Sequence, residues 1–281
     1  MTRHTVLLSL LLSLFLSAAA QRSDVPDDEE DPYFLLCGQA DKAIADGDYN
    51  EAAARLIDAM SVKPDHPGNI LLMSNLGMVY SYMDRDSLAL ATLDEAHRRA
   101  PAMRTVLSNR AHVLLKLGRD AEAARDFSAV IEADSVNIDA RFYRGTIALY
   151  NGDLATAESD FDVLRRLDPK SAGTAQALSS LYSLTGRDRE AIPYFRSLIA
   201  TEPSVEYYAG LAGCLLALQN LYDAASVLAE GMEKFPDDPE LYYYRAMLNR
   251  DRYRLDDAHA DADRAVKLGL SPKKARGLFK K

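Results

Sequence analysis

The chain has 281 residues, with 33 Lys and Arg against 42 Asp and Glu, a formal net charge of −9 and 48% apolar residues. An acidic balance without a basic stripe argues against nucleic acid and against anionic membrane surfaces as partners. Two cysteines in so long a chain do not make a disulfide scaffold.

In chain order, MTRHTVLLSLLLSLFLSAAAQ comes first. Arg3 gives a positive start, Val6 to Leu16 an apolar stretch, and Ala18-Ala19-Ala20 a small-residue cleavage site. Residues 1–20 therefore read as a secretory signal peptide, too short in its apolar part for an ordinary spanning helix. Removing them takes away one basic residue, Arg3, and no acidic one, so the mature chain would carry −10. The expected location is exported: periplasmic, extracellular or otherwise in the envelope. No membrane insertion is expected after cleavage. Residues 21–32 then form an acidic linker. DVPDDEED, Asp24 to Asp31, puts six acids in eight residues and lacks the glycine-containing loop spacing of a calcium hand.

From Tyr33 the sequence repeats itself. Ile138 to Ser171 shows the unit: an apolar run to Tyr150, a break at Asn151-Gly152-Asp153, a second run from Leu154 to Leu167, and a stop at Asp168-Pro169. Ala157 falls in register with Ala52, Ala89, Ala123, Ala191, Ala225 and Ala258, at gaps of 37, 34, 34, 34, 34 and 33 residues. Twelve residues before each stands another small residue: Ala40, Gly77, Ala111, Gly145, Ser179, Gly213 and Ala246. Small residues let two helices approach closely, so these are read as structural. Closing prolines recur at Pro64, Pro101, Pro169 and Pro203, with Pro236 one residue early.

Met73-x2-Leu76-Gly77-x2-Tyr80…Ala89…Leu93…Pro101 and Gly145…Ala157-x3-Phe161…Pro169 resemble the tetratricopeptide repeat pattern. The resemblance runs from about Tyr33 to Pro272. It implies an all-α, right-handed α-solenoid of about seven helix-turn-helix units, at 33–66, 70–103, 104–137, 138–171, 172–205, 206–238 and 239–272. Pro67-Gly68-Asn69 is the one insertion. A residue is expected to be lost near Phe235, and Pro193 to sit early enough in its helix to cost little. Residues 273–281 read as a short basic C-terminal cap or tail.

Three repeats carry arginine where the family has leucine, and aspartate sixteen residues on: Arg110 with Asp126, Arg144 with Asp160, and Arg245 with Asp261. The other four hold Gln39, Leu76, Leu178 and Ala212 at the first place and Arg55, Thr92, Tyr194 and Leu228 at the second. Occurring together or not at all, these residues predict an interhelical Arg–Asp fork. Cys37 and Cys214 are separated by four whole repeats and are expected to be free thiols.

No catalytic or nucleotide-binding motif is found, and His259 with Asp263 reads as a solvated face rather than a metal site. The expectation is a non-catalytic chain without cofactor or metal. The resemblance implies a groove lined by the first helix of each repeat, holding a protein or extended peptide. Its candidate lining is Phe34, Met78, Tyr82, His112, Lys116, Phe142, Tyr150, Tyr207, Tyr243 and Met247, with Phe142 and Tyr150 partly exposed. The lysines of a carboxylate clamp are missing, although Asn75 and Asn109 match single members. A self-associating assembly subunit and a glycan or peptidoglycan binder are the alternatives, and the oligomeric state stays open.

Overall fold

The computed structural model describes residues 31–279. The expected signal peptide and most of the expected acidic linker lie outside the described residues, as do Lys280 and Lys281. Two compact units divide at Gly152 and Asp153, inside the fourth repeat's turn. The first unit contains α1 (Pro32–Ala45), α2 (Tyr49–Val62), α3 (Asn69–Tyr82), α4 (Asp86–Arg99), α5 (Arg104–Lys116), α6 (Asp120–Ala133) and α7 (Ile138–Asn151). The second contains α8 (Leu154–Leu167), α9 (Ala172–Leu184), α10 (Asp188–Thr201), α11 (Val205–Ala217), α12 (Leu221–Lys234), α13 (Pro239–Asp251), α14 (Leu255–Lys267) and α15 (Pro272–Gly277). Among the described residues there is no strand, and no helix is long and apolar enough to cross a membrane.

Within each unit every helix packs on the next in sequence, and first helices of adjacent repeats also touch, α3 on α5 and α11 on α13. Local chemistry sets the ends. Asp48, Asn137, Asp153, Ser171 and Asn220 cap their helices by accepting from a backbone N–H three residues on. The turn inside each repeat needs one residue at positive φ. Glycine supplies it at Gly47, Gly118, Gly152 and Gly186, while Asp84, Gln219 and Tyr253 adopt it at φ 56–60°.

Ala52, Ala89, Ala123, Ala157, Ala191 and Ala258 are wholly buried. Ala225 is not: it is partly exposed, and Ala224 is wholly buried in its place, as is Ala212 in place of Gly213. The sixth repeat is therefore shifted by one residue from its sequence register. The cause is the connection Glu202-Pro203-Ser204, three residues where the preceding and following junctions, Asp168 to Ser171 and Phe235 to Asp238, have four. The lost residue lies there and not near Phe235. In the corrected register Leu211, not Ala212, stands in the arginine place, as the family pattern prefers. A second correction concerns Pro193. It is the sixth residue of α10, beyond the first turn's free N–H groups, so the helix forgoes a hydrogen bond there.

Arg110 forks onto Asp126, with Nε donating to Oδ2 at 2.8 Å and Nη2 to Oδ1 at 2.7 Å, while its Nη1 reaches Asp94 at 3.2 Å. Arg245 meets Asp261 the same way, at 2.9 and 2.5 Å, and Asn249 adds a bond to Asp261 at 2.9 Å. Arg144 and Asp160 belong to different units. Within the first, Arg144 donates to Ser128 Oγ at 3.2 Å. Asp160 is wholly buried.

Residues of the last repeat are covered by α15 and the two residues after it. Ala275 and Leu278 join Ala246, Ala262, Ala265 and Leu270 in one apolar cluster. Arg250 Nη1 holds the Leu278 carbonyl at 3.1 Å, and Phe279 stacks on His259 at 3.9 Å.

Candidate functional site

In the first unit the residues expected to line a groove divide into two kinds. Met78, His112 and Phe142 are buried, at 6%, 1% and 5% exposure, and pack within the helix layer. The expectation that Phe142 stands partly exposed is thus overturned. Its ring meets the ring of Tyr143, the next residue of the same helix, edge-on at 5.1 Å. His112 Nε2 lies 3.2 Å from Asp139 Oδ2, and its ring meets Tyr143 edge-on at 4.6 Å and Phe127 at 5.4 Å. The Phe127 and Tyr143 rings are stacked. His112 Nδ1 and Tyr143 Oη are buried without a hydrogen-bond partner. Burial, followed by the nearby Asp139, pushes the Tyr143 phenol above its ordinary pKa.

Tyr82, Lys116 and Tyr150 remain partly exposed. They sit 34 residues apart, at or one short of the C-terminal ends of α3, α5 and α7. Lys116 is held there by the Ser81 carbonyl at 2.7 Å and by Asp84 and Asp86, each at 2.8 Å. Burial alone would lower the lysine pKa, but the two aspartates more than offset it and the net shift is upward. The same hydrogen bond holds the Asp84 carboxyl below its usual range. Tyr82 stacks on Tyr49 at 5.2 Å, and burial raises its phenol. The row is an aromatic, a pinned ammonium and an aromatic, edged by carboxylates.

Other expected residues do not join it. Phe34, at 39% exposure, packs edge-on against Tyr33 and His66, with the Lys63 ammonium 5.5 Å from its ring. In the second unit Tyr207 is half-buried on α11. Tyr243 and Met247 pack against the apolar cluster that α15 completes, and Lys274 lies 4.7 Å from the Tyr243 ring. These two serve the end of the array. Asn109 turns inward, its Nδ2 donating to Ser74 Oγ at 2.9 Å. Asp84, Asp86 and Tyr49 complete the row and escaped the sequence reading. Their signal was the positive-φ turn place, where Asp84 stands for glycine. Among the described residues no group of three or more His, Cys, Asp or Glu is placed to hold a metal ion.

Residues 108–172 and 185–239 match the family model for the tetratricopeptide repeat. No curated protein is significantly similar in sequence. Among solved structures, a tetratricopeptide repeat protein from Parabacteroides merdae is 23% identical, with a TM-score of 0.65 over 88% of this chain and 97% of that one. PilW, a type IV pilus biogenesis factor, is 20% identical with a TM-score of 0.65, over 75% and 97% of the two chains. YrrB, described as having an unusual peptide-binding site, is 18% identical with a TM-score of 0.54, over 66% and 96%. At these identities the likeness is one of fold, an α-solenoid of consecutive helix pairs. Residues 108–172 and 185–239 are tetratricopeptide repeats, and the described chain has the fold of that family.

Proposed function

We propose that this chain is a non-catalytic scaffold, exported to the cell envelope, that holds a protein or an extended peptide across the ends of α3, α5 and α7. The observation that carries the reading is the partly exposed row Tyr82, Lys116 and Tyr150, repeated in phase while its buried neighbours form the core. Aromatic rings give large contact area at low entropic cost, and the Lys116 ammonium, whose three N–H groups are taken by Ser81, Asp84 and Asp86, fixes the surface between them. YrrB's peptide-binding site illustrates that the fold accommodates such a partner. Export rests on the character of residues 1–20, and N-terminal sequencing of the chain recovered from fractionated cells tests it.

The partner site is tested by a photo-crosslinking residue at Tyr82 or Tyr150, with Tyr253, 91% exposed, as the reference position. A shared crosslinked species at the first two and none at the third supports the site. Tyr82→Ala with Tyr150→Ala is expected to abolish the crosslink made from Lys116 replaced in the same way, with helical content kept. Capture that survives the double change, or equal crosslinking from Tyr253, defeats it. Phe142→Ala is uninformative, because Phe142 belongs to the core.

A further inference from the structure

A cavity of about 480 Å³ opens between α2 and α4, with α3 as its floor. Its size falls in the range of small-molecule sites. Two of its lining residues are Leu76 and Thr92. These are the places that hold Arg110 and Asp126 one repeat later, where the fork, reaching also to Asp94, fills the corresponding space. Leucine and threonine are too short to do so. The cavity thus follows from one coupled replacement in the sequence. It also lies where the Pro67-Gly68-Asn69 insertion spaces the first two repeats.

That insertion is tied down. Asn69, 5% exposed, donates from Nδ2 to the Lys63 and Pro64 carbonyls at 2.7 and 2.9 Å and accepts from the Tyr33 hydroxyl at 3.1 Å. Gly68 N donates to His66 Nδ1 at 3.1 Å. The wall of the cavity is therefore preformed, which lowers the cost of filling it.

The polar groups around the cavity decide what fits. Both N–H donors of Asn69 are spent on those bonds, and its oxygen already accepts one. Thr92 Oγ1 donates to the Leu88 carbonyl at 2.8 Å. Both oxygens of Glu95 accept from Arg98, and Oε1 also takes Arg99 Nε at 2.6 Å. What remains at the rim is the outer end of the Arg99 guanidinium, in a cluster of two arginines against one glutamate. The lining is largely apolar and includes Met60 and Met73, whose flexible thioethers adapt to an unbranched chain. A peptide backbone laid there would leave its own N–H and C=O groups unpaired. A hydrocarbon chain would not.

We propose that this cavity binds an unbranched acyl chain with a carboxylate head, the chain over Met60, Met73 and Leu76 and the head on the outer nitrogens of Arg99. The site is separate from the partner row.

The test uses the folded chain labelled at the methionine methyls, with sodium decanoate added below its micellar concentration and read by NMR. Saturable shifts are expected at Met60 and Met73, with Met232 and Met247 unmoved. 1-Decanol and decyltrimethylammonium should bind at least about fivefold more weakly, a loss in keeping with one charge-assisted hydrogen bond. Arg99→Gln should weaken decanoate to the level of decanol and leave decanol unchanged. Leu76→Arg with Thr92→Asp, which installs the neighbouring fork, should remove binding of all three. Should that pair fail to fold by circular dichroism, Ala91→Leu fills the cavity from the α4 wall and should give the same loss. The proposal falls if Met232 and Met247 shift in parallel, if the cationic chain binds as tightly as decanoate, or if binding survives in the folded filled variant. It falls equally if a tripeptide such as acetyl-Leu-Leu-Leu competes as well as decanoate.

Discussion

Arg110 and Asp126 are 17% and 7% exposed, so each depends on the other for its charge. Arg110→Leu alone strands a buried carboxylate and should cost about 3–5 kcal/mol, whereas Arg110→Leu with Asp126→Thr, the combination present at Leu76 and Thr92, should cost clearly less, because it opens a cavity but strands no charge. Denaturant unfolding separates the two, and equal losses would contradict a desolvated fork. Tyr253 carries the opposite kind of cost. It holds φ 60° at 91% exposure, a conformation disfavoured by about 1–2 kcal/mol for a residue with a Cβ. After glycine's greater unfolded-state entropy is subtracted, Tyr253→Gly should still raise stability by about 0.5–1 kcal/mol in the same assay. Glu206 links stability to pH. Burial raises its carboxyl pKa above the usual glutamate range. Its ionised form is therefore penalised in the folded chain, and the penalty sets in as pH rises through the folded pKa. Glu206→Gln should stabilise at neutral pH, and the gain should vanish below about pH 4.5. A gain that is the same at pH 4 and pH 7 would show that the charge is not its source.

At the scale of the element, the sixth repeat gives the sharpest test. Ala224 is wholly buried and Ala225 partly exposed. Ala224→Leu should therefore cost about 1–3 kcal/mol by overpacking while Ala225→Leu stays within about 1 kcal/mol, as thermal unfolding of the two variants would show. Adjacent alanines made the slip invisible in the sequence, since either satisfies a search for a small residue. Only the turn tells them apart: Gln219 at positive φ stands 33 residues after Gly186, and glutamine gives no hint of that conformation. Elsewhere the helix pairs were legible because the small residues, the caps and the prolines agree on one period. The candidate site was legible by half. Spacing alone puts Tyr82, Lys116 and Tyr150 on one row, but it does not say whether a ring such as Phe142 faces solvent or a neighbouring helix. That depends on its neighbours: Tyr143 packs edge-on against Phe142, and Phe127 stacks on Tyr143 in turn. The cavity beneath Leu76 was likewise present in the sequence as a missing fork, yet an absent guanidinium becomes a cavity only where the neighbouring walls do not close in.

At the scale of the whole molecule, a chain whose helices pack on their sequence neighbours should lose stability locally when one end is damaged. The C-terminal end provides the trial. Ala275 and Leu278, each 5% exposed, close the apolar cluster over Ala246, Ala262 and Ala265, and Arg250 secures them through the Leu278 carbonyl. Deleting residues 272–281 reopens that cluster. Burial of a leucine side chain is worth about 1.5–3 kcal/mol, so the last repeat should open about 10- to 100-fold more often. Hydrogen exchange followed by mass spectrometry would read this as faster exchange in α13 and α14. The milder Leu278→Ala should do the same to a smaller degree, which separates lost packing from lost chain length. Amides of α1 to α4 should keep their protection in both variants, because each of those helices packs on its own sequence neighbours within the first unit. If protection falls equally from α1 to α14, stability is not a sum of neighbour terms in this chain. The end helix would then govern a single cooperative transition, and a lesion at one end would reach every repeat.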